Sequence, residues 1–254
     1  MWIWCAGCGL IILAVIVIVV RHAEINKLIA IVETETSPCS GLMHAQNGSF
    51  VEIKGFIEPI QVLRSDVGGR ECVCYKSTIT REYEEEHQET DAAGRVHRKR
   101  RRGTESIVSR EVRTRFYVRD DSGRLPVDPE GAQVELIETV KKDEPGVPAG
   151  KATFAEVNLE GSGRGQTKGL KFREWVLPVE VPVYIFGPVL QTDNGPVIQK
   201  PAVLSRDFII TTKSEEALMG ATKDSIQALN ITGVVLSLAG IALIVYSLFL
   251  TDAL

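Results

Sequence analysis

The sequence predicts a mainly β domain, an antiparallel barrel or sandwich, with an N-terminal and a C-terminal transmembrane helix. Three observations carry this. Both ends are apolar runs of bilayer length. The interior breaks into short alternating segments separated by turn-forming residues. The regular strand–helix alternation of a parallel α/β fold is missing.

Trp2 to Val20 contains no charged residue and is dominated by Ile, Leu and Val. About nineteen helical residues rise ~28 Å, close to the hydrocarbon thickness of a bilayer. Arg21 and His22 close the run, and Trp2 and Trp4 suit the opposite interface. The absence of a basic leader and the length of the apolar run favour an uncleaved anchor over a signal peptide. The second run has no charge between Asp224 and Asp252, with an apolar centre from Ile231 to Leu250. Gly233, Ser237 and Gly240 share one helix face, a small-residue stripe suited to close helix packing. Its partner is either the first helix or a second copy. The predicted organisation is a transmembrane helix over 1–21, a juxtamembrane helix over 22–37 and a β-rich domain over 38–213. A second juxtamembrane helix over 214–229 and a transmembrane helix over 230–251 complete it.

The net charge of -4 gives no general affinity for nucleic acid. Of five cysteines, Cys5 and Cys8 lie in the first apolar run. Cys39, Cys72 and Cys74 remain, which is no disulfide framework. Cys72 and Cys74, two apart on a predicted strand, should point to one face as small core residues. His22, His44, His87 and His97 do not cluster with them, so no metal site and no cofactor is predicted.

Ala23 to Thr36 places Ile25, Leu28, Ile29 and Val32 at helical spacing, and Ser37-Pro38 ends that helix. Val51-Glu52-Ile53-Lys54 alternates as a strand, with Gly55 marking a bulge or a close backbone approach. Val67 to Arg70 is a turn, and Cys72 to Tyr83 a long strand. Val112 to Arg119 alternates as one strand, turned by Asp120-Asp121-Ser122-Gly123. Gly131 to Val140 is another strand, followed by a Pro/Gly-rich connection over Lys141 to Gly150. Gly161 to Gly169 is glycine-rich but lacks the Gly-Lys-Ser/Thr ending of a phosphate loop. Trp175 to Phe186 is apolar, with Pro178 and Pro182 confining it to an edge or a strand start. Asp193-Asn194-Gly195-Pro196 is a hairpin turn. Val197–Lys200 and Phe208–Thr211 follow as strands, and Ser214 to Gln227 as a helix.

One stretch stands apart. Glu82, Glu84, Glu85, Glu86, Glu89 and Asp91 form an acidic run, Ala92-Ala93-Gly94 a turn, and Arg95, Arg98, Lys99, Arg100, Arg101 and Arg102 a basic run. Folded as a hairpin, the two runs face each other in favourable cross-strand pairs. Such an arm is either solvated and self-neutralising, or a contact surface through Arg98–Arg102 for anionic headgroups or an acidic partner. Nucleic acid is disfavoured because no aromatic residue interleaves the cations. No Gly-x-Ser-x-Gly or His-Glu-x-x-His is present, so no catalytic residue is assigned.

The order of segments resembles one family. Val51-Glu52-Ile53-Lys54-Gly55-Phe56-Ile57 precedes Cys72-Val73-Cys74-Tyr75 and Ile79-Thr80-Arg81-Glu82-Tyr83. Phe116-Tyr117-Val118-Arg119-Asp120-Asp121-Ser122-Gly123 and Val127-Asp128-Pro129-Glu130-Gly131-Ala132 follow. Then come Glu174-Trp175-Val176-Leu177-Pro178 and a Val183–Val189 strand containing Gly187. This set resembles the GIDE, or beside-a-membrane, domain of mitochondrial outer-membrane RING-type E3 ubiquitin ligases and prokaryotic relatives. The resemblance implies a membrane-flanked domain that senses or binds partners. In those ligases a zinc-binding RING follows the second membrane helix. Here that helix is followed by Thr251 to Leu254, and no zinc-spaced Cys/His run is present. Ubiquitin transfer is therefore expected only with a RING supplied in trans.

The expectation is a two-pass membrane protein acting as an interaction or sensor domain without its own catalytic site. The alternatives are a ubiquitin-ligase-like protein and a structural subunit of a membrane complex. Its partners would be the bilayer, a membrane or soluble protein, and a further copy through the membrane helices. Arg21, Lys27, Lys213 and Lys223 at the domain side of the helices favour a cytoplasmic domain, testable by labelling Cys39. The mitochondrial relatives, and the Asn47-Gly48-Ser49 sequon, argue for the other side.

Overall fold

The computed structural model describes residues 2–90, 96–146, 165–201 and 207–252. The chain opens with helix α1 (Trp2–Glu33) and closes with helix α2 (Glu215–Asp252), and both are long and apolar enough to cross a membrane. Each runs without a break from its apolar part into its polar part, so the juxtamembrane stretches continue the same helices. From Ile231, where charge has ended, back to Glu215 is ~24 Å of helix. α1 and α2 pack together. A Cβ on Gly240 would sit 3.1 Å from the Gly7 carbonyl oxygen, and one on Gly7 2.7 Å from Ile244. Gly233 faces Val17, and Ser237 donates its hydroxyl to the Gly233 carbonyl.

A short 3₁₀ turn (Cys39–His44) leads to β1 (Phe50–Pro59). β1 pairs antiparallel with β5 (Phe116–Asp120), which forms a hairpin with β6 (Gly123–Val127). β6 meets β11 (Gly195–Ile198) through the parallel pair Val127 and Ile198. β11 forms a hairpin with β10 (Pro182–Thr192), and β10 pairs back onto β1. These five strands close a barrel around Ile53, Ile57, Phe116, Val118, Leu125 and Ile185, all at most 1% exposed. Beside β11, β10 also pairs with β12 (Ile209–Thr211), which carries β7 (Gln133–Val134).

The second sheet is made by two excursions from the barrel. One supplies β2 (Leu63–Arg64), β3 (Glu71–Thr90) and β4 (Val96–Arg113). The other supplies β8 (Ile137–Pro145) and β9 (Gln166–Pro178). β3 is central, with β9 on one side and β4 on the other, and β8 lies beyond β9. Leu170, Phe172 and Ile79 form this sheet's own core, while Val73, Cys74 and Leu177 join the barrel core.

Three runs predicted as single strands are each split where the chain passes between sheets. Val112 to Arg119 divides at Thr114, whose amide bonds the Val73 carbonyl. Gly131 to Val140 divides between β7 and β8. Trp175 to Phe186 divides between β9, which ends at Pro178, and β10, which starts at Pro182. β10 is therefore interior, not an edge, and the prolines are harmless because they sit at strand ends. The expected connection from Lys141 is strand as far as Pro145. The helix expected to reach Thr36 ends at Glu33, and Thr36 instead bridges to Glu52. Cys72 and Cys74 do not share a face. A register shift against β9 falls between them, and Cys72 packs with Tyr75 and Val176 while Cys74 enters the barrel core. Asp91, Ala92-Ala93-Gly94, Arg95 and residues 161–164 of the glycine-rich stretch lie outside the described residues.

Gly55 is the close approach, without a bulge. A Cβ there would sit 2.6 Å from the Arg119 carbonyl oxygen on β5. Backbone cannot yield as a flexible side chain does, so Gly55→Ala should destabilise the barrel by roughly 1–3 kcal/mol. Thermal unfolding of the detergent-solubilised protein checks this.

Candidate functional site

β3 outruns β9. Its pairing with β9 ends at Glu84 opposite Gln166, whereas its pairing with β4 continues to Thr90 opposite Val96. From Cys74, in the barrel core, to Thr90 is ~50 Å of extended chain. The outer part is a two-stranded ribbon whose register sets Glu84 against Arg102, Glu85 against Arg101, Glu86 against Arg100 and Gln88 against Arg98. All five cations, Arg98, Lys99, Arg100, Arg101 and Arg102, are exposed. Lys99 pairs with Glu89. Glu84, only 13% exposed, is approached by Arg100 at 3.6 Å, Lys168 at 3.7 Å and Arg102 at 3.8 Å. One carboxylate thus serves three cations. Arg98 stands across from an uncharged glutamine.

Side chains alternate along a strand, so Arg98, Arg100 and Arg102 share one ribbon face and Lys99 and Arg101 the other. Glu84 and Glu86 lie on the first face, Glu85 and Glu89 on the second. Neither face is purely cationic. The basic charge is concentrated along the line of β4 itself.

Two buried carboxylates escaped the sequence reading. Glu52 (1% exposed) sits in an alternating strand, where a polar position ordinarily marks the solvent face. That face is covered, because Ile31 and Leu218 of the two helices pack on Tyr184, Phe186 and Ile209. The Tyr184 hydroxyl donates to Glu52 at 2.9 Å and Lys54 lies 3.2 Å away. Thr36 also donates to it, and Lys54 reaches on to Glu215 at 2.6 Å. Burial and the Glu52 bond push the Tyr184 hydroxyl up, and the Glu215 bond raises the Lys54 ammonium. The cluster ties both helix ends to β1 and β10. A cavity of about 610 Å³ opens beside it, lined in part by Phe56, Arg119 and Glu215, and its Lys54 and Glu215 are paired with each other. Glu174 (0% exposed) accepts from the amides of Val67 at 2.7 Å and Gly68 at 3.0 Å and from the Ser65 hydroxyl at 2.8 Å. It pins the loop before β3 and so fixes the ribbon's base. The only sequence signal was a glutamate beside the apolar run from Trp175.

The soluble thiols are unsuited to nucleophilic chemistry. Burial pushes Cys39 and Cys74 up to about 12 and Cys72 to about 11. Cys39 is 2% exposed, so it is not a labelling site for topology. Among the described residues, no group of three or more His, Cys, Asp or Glu is placed to hold a metal.

A family model described as GIDE, E3 Ubiquitin ligase, matches residues 82–245, well over half of the chain. The chain belongs to the GIDE family. The match begins within β3 and ends within α2, so it takes in the ribbon, most of both sheets and most of the second helix. No curated protein and no solved structure matches this GIDE chain.

Asp120 locks the 3₁₀ turn, Cys39–His44, onto the barrel. Its carboxylate accepts from the amide of Cys39 at 2.8 Å and from the amide and hydroxyl of Ser122. Burial alone would raise the carboxyl, but these bonds hold it down at about 2. Its folded value lies below its unfolded one, so its stabilisation is present above pH ~4 and is lost as pH falls toward 2. Asp120→Asn should lower stability at pH 7 and flatten the acid limb between about pH 5 and 2. Unfolding midpoints measured across that range check this.

Proposed function

We propose that this GIDE protein is a two-pass, membrane-anchored recognition module whose charged ribbon binds an acidic segment of a partner protein. The observation that carries this is the basic line Arg98–Arg102 on β4, five cations exposed along its length and faced, among the described residues of the ribbon, by Glu84, Glu85, Glu86 and Glu89. The two apolar helices supply the anchor, and the Glu52 cluster joins them to the barrel. Replacing Arg98, Lys99, Arg100, Arg101 and Arg102 together by Gln removes this basic line. At about 0.2–1 kcal/mol per exposed ion contact, affinity for a glutamate-rich peptide should fall by roughly tenfold or more. The wild-type affinity should also weaken with added salt. Fluorescence anisotropy with the full chain in neutral-lipid nanodiscs measures both. Unchanged affinity in the substituted protein would remove the ribbon from the reading.

A second reading rests on the family description, E3 Ubiquitin ligase. Here the chain holds a substrate while a RING on another polypeptide recruits the charged conjugating enzyme. Reconstituted transfer should then accelerate only when this chain and a RING-bearing partner are both present. No acceleration with any such partner removes this reading.

A further inference from the structure

We propose that the acidic segment binds by adding a strand to the open edge of β4, antiparallel or parallel, over Arg98–Arg102. This rests on the acidic-partner reading above and specifies its geometry.

Among the described strands, β4 pairs with β3 and with nothing on its other side. Among the described residues, the outward amides and carbonyls of β4 are thus a ladder ready for pairing. An edge eighteen residues long is a hazard unless charge restricts what pairs with it. The basic run does this. Two copies meeting β4 to β4 would set arginine against arginine, so the edge rejects its own copy in that pairing and admits a strand of opposite sign.

The cations also select a strand over a bilayer or any other flat polyanionic surface. Arg98, Arg100 and Arg102 project from one ribbon face, Lys99 and Arg101 from the other. A flat anionic surface reaches one face alone, and there it also meets Glu84 and Glu86, or Glu85 and Glu89. A strand laid beside β4 projects side chains to both faces and reaches all five. The fitting occupant is therefore a contiguous acidic run of about five or six residues in extended form, since alternate residues must answer each face. Main-chain hydrogen bonds then give affinity and the carboxylates give selection.

The test uses the full chain in phosphatidylcholine nanodiscs and a peptide with a central run of about six glutamates. A second peptide has the same sequence with every backbone amide N-methylated, which keeps the charge and removes the donors. Amide hydrogen exchange is followed across Val96–Arg113. The first peptide should slow exchange by about tenfold at alternate, outward amides within Arg98–Arg102, and the methylated peptide should neither bind nor protect. Equal binding of both peptides without protection overturns strand addition and leaves the acidic-partner reading standing. Binding of neither peptide overturns both. A preference for phosphatidylserine vesicles over the peptide overturns both in favour of a lipid surface. Protection that rises with protein concentration, without peptide, assigns the edge to a second copy and overturns the proposal.

Discussion

The fold depends on β10 being apolar on both of its faces. Val183, Ile185 and Val189 point into the barrel, while Tyr184 and Phe186 take the packed ends of the two helices. Along its edges β10 holds β1 on one side and β12 and β11 in succession on the other. One strand therefore closes the barrel and docks the helices. Polar groups tolerated on its outer face must be satisfied internally, because water is excluded there. Glu52 on the neighbouring strand is the case in point. Its charge is admitted only because Tyr184, Thr36 and Lys54 surround it. Breaking any one of these contacts would leave a buried carboxylate short of a partner, so the helix ends and the barrel wall are positioned together.

The ribbon answers to the opposite constraint. Beyond Glu84 it has no third strand among the described residues and no core. A two-stranded hairpin alone is marginal in water. Exposed ion pairs each contribute little, so the glutamates and arginines cannot hold it up by strength alone. They do fix register, because a slip sets like charges closer together. Stability must come from the base, where β3 runs unbroken into the two-sheet core and the amides of Val67 and Gly68 clamp the Glu174 carboxylate. Long reach with little internal support is expensive to keep unless the exposed strand is used.

The charged hairpin and the turns at Asp120 and Asp193 were legible from sequence, because they depend on neighbours along the chain. A barrel or sandwich was legible as a class, but the strand order that closes the barrel was not. Its closure joins Phe50 to Pro188 and Val127 to Ile198, pairs far apart in sequence. The three misread strands share one cause. Alternation continues through Thr114, through Glu135-Leu136 and through the link from Pro178 to Pro182, although the chain changes sheets at each. Periodicity reports which side of a strand is buried, not which sheet buries it. Glu52 misled for a related reason: a polar residue in an alternating strand marks solvent only when nothing covers that face.

The same logic explains why the proposed recognition surface sits where it does. Surface that is packed on both sides, as around β10, cannot be offered to a partner without unfolding the domain. The helices are committed to each other through Gly7 and Gly240 and to the barrel through Ile31 and Leu218. The edge of β4 is different. It is held at its base by β3, its side chains face water, and its outer backbone groups are unspent among the described strands. An added strand there costs no core contact, and its hydrogen bonds would replace bonds to water rather than bonds within the domain. Net gain per main-chain bond is small in that exchange, which is why charge along the strand, rather than the ladder itself, must decide which segment binds.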